Sequence, residues 1–170
     1  MALPEAELIN GEILLRDLQL SHDVKLTRRS TIRWLALALG LISPNETRTA
    51  MLDVLEALFF FQFGQKRDPA VDDIMAFIRG TLGKEECEKT VRYHLLQLQN
   101  GGLLERRKGR YCFSVSPLSE KGDFAATLDY VYKRRCDTTL SKIKEACREL
   151  SASLDRAAPP AGLMAAVARA

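Results

Sequence analysis

The sequence predicts a mostly α protein with a single small β-hairpin, and three observations carry that expectation. Apolar residues recur three and four apart through most of the 170 residues, the spacing that lines one face of an α-helix. One stretch, 103–115, departs from it. There, two short runs holding Leu103, Leu104, Tyr111, Phe113 and Val115 flank Lys108-Gly109, residues suited to a tight turn between antiparallel strands. Beyond the hairpin, Phe124, Leu128, Tyr132, Cys136, Leu140, Ile143, Cys147, Leu150 and Leu154 step by 4, 4, 4, 4, 3, 4, 3 and 4, which predicts a long C-terminal helix, with a bent helix or two helices broken near Asp137-Thr138 as the alternatives.

Composition bounds the rest. Hydrophobic residues make up 46% of the chain, enough for one domain core with helical additions. No run approaches the roughly 20 uninterrupted apolar residues of a membrane span. Residues 35–42 are too few, and 52–63 contain Asp53 and Glu56. The N-terminus opens with Pro4, Glu5 and Glu7 rather than a basic leader, so the expected compartment is the cytoplasm, with no membrane partner. A net charge of +3 is too mild to imply nucleic acid by itself. Cys87, Cys112, Cys136 and Cys147 form no CxxC pair and no zinc-ligand spacing with His22 and His94, so they are expected as small buried hydrophobes. Neither a metal nor any other cofactor is expected.

Taken in order, residues 5–20 alternate apolar and charged residues at helical spacing, with Leu8, Leu14, Leu15 and Leu18 apolar, and predict one or two short helices divided near Asn10-Gly11. Thr27 is a candidate cap for a helix over 28–41, with Ile32, Trp34, Leu35 and Leu39 facing inward. Arg28, Arg29 and Arg33 are expected in solvent, as an additional basic patch. Thr31-Ile32-Arg33-Trp34 before Gly40-Leu41 echoes Thr90-Val91-Arg92-Tyr93 before Gly102-Leu103, but an extra core helix with a basic edge explains the same residues.

Ser43-Pro44-Asn45-Glu46 has the residues of a capping box with proline in the first turn, which predicts a helix from there to about residue 63. Its apolar residues cover more than half its circumference, so it is the expected central buried helix. Phe59-Phe60-Phe61 exceeds one core face. Packing against the N-terminal helices accounts for it, and a dimer surface is the alternative. Asp68-Pro69 then starts a helix over 70–79 carrying Val71, Ile74, Phe77 and Ile78, and residues 80–84 form a turn. In the following helix, 86–99, Cys87, Val91, Leu95 and Leu98 share one face. Lys89, Arg92, Tyr93 and Gln97 lie off it. Asn100-Gly101-Gly102 supplies the helix stop.

Helix, turn, helix, glycine stop and basic hairpin together resemble winged helix-turn-helix transcription regulators of the ArsR, MarR and PadR kinds. In these a Thr-Val-x-x-His-Leu helix is followed by Gly-Leu and a charged wing, and Thr90-Val91-Arg92-Tyr93-His94-Leu95 and Gly102-Leu103 match that pattern. Leu118-Ser119-Glu120-Lys121-Gly122 is similar to the Leu-Thr-x-x-Gly step that begins the next helix in MarR- and PadR-like domains, with Ser119 as its cap. The resemblance implies a winged helix-turn-helix domain at 43–118, after an N-terminal helical extension at 1–42. A dimerisation helix would follow at 119–156, with Leu128, Tyr132, Leu140, Ile143, Cys147 and Leu150 at the interface, and an alanine-rich flexible tail at 157–170.

What this implies about function is local. Double-stranded DNA is the expected partner of a homodimer, with helix 86–99 in the groove and the 103–115 wing on the backbone. Lys89, Thr90, Arg92, Tyr93 and Gln97 would serve the groove, Arg92 being able to make a bidentate contact to guanine. Arg106, Arg107, Lys108 and Arg110 would meet phosphate. Residues 84–110 hold seven cations against Glu85, Glu86, Glu88 and Glu105. Three of those carboxylates suit a helix N-terminus through the macrodipole, yet that end of a reading helix approaches phosphate. This departs from the regulators and raises the alternative of a winged-helix protein-interaction module in a larger assembly. A MarR-type effector pocket is a third reading, for which no residue speaks. No nucleophile elbow, phosphate-cradling glycine loop or HExxH is present, and an enzyme is not expected.

Overall fold

The computed structural model describes residues 5–115 and 123–156, and the chain forms two units, Met1–Tyr132 and Lys133–Ala170. The first carries α1 (Arg28–Ala38), α2 (Ala50–Phe59), α3 (Val71–Thr81), α4 (Glu88–Asn100), strands β1 (Leu104–Arg107) and β2 (Arg110–Phe113), and α5 (Phe124–Leu128). The second carries α6 (Arg134–Arg156). The protein is mostly helical with one small antiparallel two-stranded sheet. No described helix is long and apolar enough to cross a membrane.

Helix α2 is the centre of the first unit. Its ten residues bury Ala50, Met51, Leu52, Asp53, Val54, Leu55, Ala57 and Leu58, and each large apolar side chain so buried contributes about 1.5–3 kcal/mol. Around it pack Ile32 and Ala36 of α1, Val71, Ile74, Phe77 and Ile78 of α3, and Val91, Leu95 and Leu98 of α4. The one charge on that helix below the surface, Asp53, is fully buried. Arg29 of α1 approaches it at 2.6 Å and Lys84, before α4, at 2.9 Å, while the Thr49 hydroxyl donates to it at 3.3 Å. Three separate segments are thereby tied to one carboxylate.

A wide π turn, Phe60–Gly64, ends α2 and sends its phenylalanines to different neighbours. Phe59 and Phe63 stack with Phe113 of β2 and Phe124 of α5, with ring centroids between 4.8 and 6.3 Å apart. On the other side Phe60 meets Phe77 at 4.7 Å. The Phe59-Phe60-Phe61 run is therefore consumed within its own unit, by the hairpin, α5 and α3.

Several sequence expectations change here. Residues 9–20 are not helical; only Glu5–Leu8 forms a single 3₁₀ turn. Leu8, Leu14, Leu15 and Leu20 remain 47–61% exposed, so a helix this short would have no apolar face to bury and is marginal in water. The segment instead makes backbone contacts with the end of α1. The Arg16 amide donates to Ala38 O, and its guanidinium donates to Leu37 O at 2.7 Å and Ile42 O at 2.9 Å, satisfying carbonyls that the end of α1 leaves open. Thr27 caps α1 as expected, its side chain accepting from the Ser30 amide. The apolar face of α1 is narrower than expected. Only Ile32 and Ala36 are buried, while Trp34 is half-buried and donates its indole N–H to Gln19 O.

Ser43-Pro44-Asn45-Glu46 does not start a helix. The Glu46 carboxylate accepts from the Ser43 amide, as a capping box requires, but the Glu46 amide also donates back to Ser43 O and closes a β-turn. Helix α2 begins at Ala50, where burial starts. Likewise the cap of α3 is Ala70, not Asp68; Asp73 accepts from its amide at 2.8 Å. Cys87 is the exposed N-cap of α4 rather than part of its buried face, and of the four cysteines only Cys112 is buried. The Leu118-Ser119-Glu120-Lys121-Gly122 step and the tail 157–170 lie outside the described residues. Helix α5 is capped by Asp123, which accepts from the Ala126 amide. Leu128 and Tyr132, expected at a dimer interface, pack against the core of the first unit instead.

Candidate nucleic-acid interface

In the first unit α3 packs on α4, and α4 packs on the first strand of the β1–β2 hairpin. Helix α3 ends at Thr81, and Gly83, with φ +64°, reverses the chain toward α4. Lys84 locks that turn twice: its amide donates to Ile78 O, and its ammonium meets buried Asp53. Helix α4 follows with Val91, Leu95 and Leu98 in the core, which forces Lys89, Arg92, Tyr93 and Gln97 into solvent and leaves Thr90 half-buried. Tyr93 is 63% exposed, unusual for so large an aromatic without a polar partner inside the fold.

The exit from α4 fixes the hairpin relative to the helix. Gly102 adopts φ +78°, its amide donates to Gln99 O, and the Leu103 amide donates to Leu98 O. This is the paired hydrogen-bond pattern of a Schellman motif, with Leu103 buried behind it. Strand β1 starts at the next residue. It pairs with β2 in the register Leu104 with Phe113 and Arg107 with Arg110, leaving Lys108 and Gly109, both at positive φ, as a two-residue I′-type turn. Gln62 anchors β2 to the α2 end by accepting from the Phe113 amide, and Pro69 O accepts from the Tyr111 amide.

Each expected DNA-contacting cation then has a distinct setting. Arg92 pairs with Glu88 one turn earlier at 2.6 Å, which raises its already high pKa and locally compensates one of the carboxylates at the helix start. Arg107 pairs with Glu105 on the same strand, also raising its pKa. Arg106 lies over the Tyr111 ring, 5.7 Å from its centroid. Arg110 donates to Asp68 O at 2.9 Å. Lys108 sits exposed at the tip of the turn. Exposed pairs such as Glu88–Arg92 are weak because water and salt screen them, so a phosphate or a base edge can replace the carboxylate.

Along its outer face α4 borders an open groove of about 750 Å³ that the sequence did not foretell. The 43–49 loop supplies the opposite wall with Ser43, Glu46 and Arg48, facing Glu86, Lys89, Tyr93 and Gln97. Arg48 is thus an additional cation beside the α4 face. No periodicity marks a loop residue, so only the fold brings it there. His94 borders the same groove, its Nδ1 3.4 Å from the Gln97 side-chain oxygen.

The additional patch expected from Arg28, Arg29 and Arg33 does not assemble. Arg29 turns inward to Asp53 and Glu56, Arg33 is half-buried, and Arg28 lines a separate shallow cavity with Lys25, Ile32 and Phe59. Burying Asp53 in α2 requires a countercharge, and Arg29 is placed to provide it. Among the described residues no cluster of His, Cys, Asp and Glu is arranged to hold a metal ion. Comparison with protein-family models, curated proteins and solved structures finds no match for this chain.

Proposed function

We propose that the first unit is a winged helix-turn-helix that binds double-stranded DNA and serves in transcription regulation, the chain acting as a homodimer through α6. In this reading α3 and α4 are the helix-turn-helix, α4 enters the major groove, and the β1–β2 hairpin is the wing. The observation that carries it is the hydrogen-bonded junction at Gly102, which joins the exposed Lys89–Gln97 face of α4 to a hairpin with four cations. Lys89, Arg92, Tyr93 and Gln97 reach base edges, while Arg106, Arg107, Lys108 and Arg110 meet phosphates. Arg48 extends the cationic surface from the opposite wall of the groove. The dimer contact of this reading comprises Leu140, Ile143, Cys147 and Leu150.

A second reading, a protein-interaction module, is favoured by the intramolecular partners of Arg92 and Arg107 and by Glu85 and Glu86 at the start of α4. Binding to random-sequence duplex DNA at low and at moderate salt separates the two. DNA binding requires salt-sensitive association at micromolar protein, since cations on phosphate release counterions. Absence of such binding turns the assignment to the interaction module. Selection from random DNA then reports the site and its symmetry.

A further inference from the structure

Helix α6 carries an apolar seam exposed to solvent. None of its 23 residues is buried, and Leu140, Ile143, Leu150 and Leu154 are 50–63% exposed. Together with Cys136 and Cys147 they step 4, 3, 4, 3 and 4, so that Cys136, Ile143 and Leu150 occupy d positions and Leu140, Cys147 and Leu154 occupy a positions of a two-stranded seam. One flank of that seam, at the g positions, holds only small residues: Thr139, Ala146 and Ser153.

The charges on α6 say which way a partner runs. Its first half, 134–144, has Arg134, Arg135, Lys142 and Lys144 against Asp137. The second half, 145–156, has Glu145, Glu149 and Asp155 against Arg148 and Arg156. A second copy running parallel would add basic half to basic half. An antiparallel copy sets each basic half against an acidic one.

We propose that α6 pairs with α6 of a second copy in antiparallel orientation, centred on Glu145. This register leaves no seam residue unpaired. Cys136 faces the partner's Leu154, Leu140 faces the partner's Leu150, and Ile143 faces the partner's Cys147. On the small flank Thr139 meets the partner's Ser153 and Ala146 meets the partner's Ala146, which lets the helices approach closely. Lys144 is the one like-charged neighbour across the axis, and its stem carries the ammonium out to water. The inference rests on the proposed role of α6 in joining two copies and adds to it orientation and register.

Disulfide trapping in the full-length protein tests it, with Cys87→Ser and Cys147→Ala as background and light scattering at micromolar concentration alongside. Leu154→Cys with Cys136 retained is expected to give a covalent dimer on mild oxidation, with peptide mapping showing the 136–154 link. Leu154→Cys combined with Cys136→Ser is expected to give none, because the two 154 positions stand about 27 Å apart in this register. Retaining Cys136 with Leu154 unchanged is likewise expected to give none. Cross-linking in either of the last two variants means parallel helices and overturns the proposal. A non-covalent dimer in which the first variant fails to cross-link overturns the register. A protein with its native cysteines that is monomeric under reducing conditions overturns both the pairing and the dimer of the proposed function, whereas DNA binding, measured separately, stands or falls without it.

Discussion

The guanidinium of Arg29 in α1 lies 2.6 Å from the carboxylate of Asp53, a fully buried residue of α2. A buried carboxylate without countercharge is strongly unfavourable, and Arg29 shares the task with Lys84. Arg29→Ala is expected to destabilise the protein by about 1–3 kcal/mol, because buried Asp53 loses one of its two cationic partners and keeps Lys84 and the Thr49 hydroxyl. Arg28→Ala, on the exposed side of the same helix, is expected to change stability by no more than about 0.5 kcal/mol. Urea unfolding of the two variants checks this. Equal midpoints would show that Arg29 is a surface residue in solution.

The DNA reading divides the cations by role. Arg92→Ala is expected to weaken a selected site more than random DNA, by about 1–3 kcal/mol, since a base contact is lost. Arg107→Ala is expected to weaken both alike and to reduce the salt slope by about one. Titrations of each variant against selected and random duplexes at three salt concentrations decide it. Equal and parallel losses for the two variants would cancel the assigned roles.

Lys108 holds φ +49° at the hairpin turn, a conformation that costs a residue with a Cβ about 1 kcal/mol and glycine almost nothing. Lys108→Gly is therefore expected to keep or raise the melting temperature while lowering affinity for duplex DNA and its salt slope. Unchanged affinity would remove the turn from the DNA contact.

Asp73 accepts from the Ala70 amide at the start of α3 and pairs with Arg67. The hydrogen bond from Arg67 is the main cause that holds its carboxyl below the usual aspartate range, and the bond from the Ala70 amide adds to it. A depressed folded pKa means stability that is complete above the unfolded value and disappears as pH falls through the folded one. Asp73→Asn is expected to be less stable by about 1 kcal/mol at neutral pH, and the gap should close under acid conditions. A gap independent of pH would mean that the carboxylate charge contributes nothing.

By itself the sequence determined the parts with a strong local signal. Val91, Leu95 and Leu98 on the apolar face of α4, the stop at Gly102 and the turn at Lys108-Gly109 all appear where the pattern placed them, because helix periodicity and left-handed turn residues act within a few positions. Tertiary structure decided what competed with a local signal. Ser43 to Glu46 has cap chemistry but closes a β-turn, since α2 starts only where apolar burial does. Residues 9–20 have helical spacing but lack a surface to cover. The partner of Asp53, the diversion of Arg29 from the expected patch, the inward packing of Leu128 and Tyr132, and the position of Arg48 across from α4 are likewise long-range facts. Each follows from which surfaces meet, and no window of sequence contains both sides of such a contact.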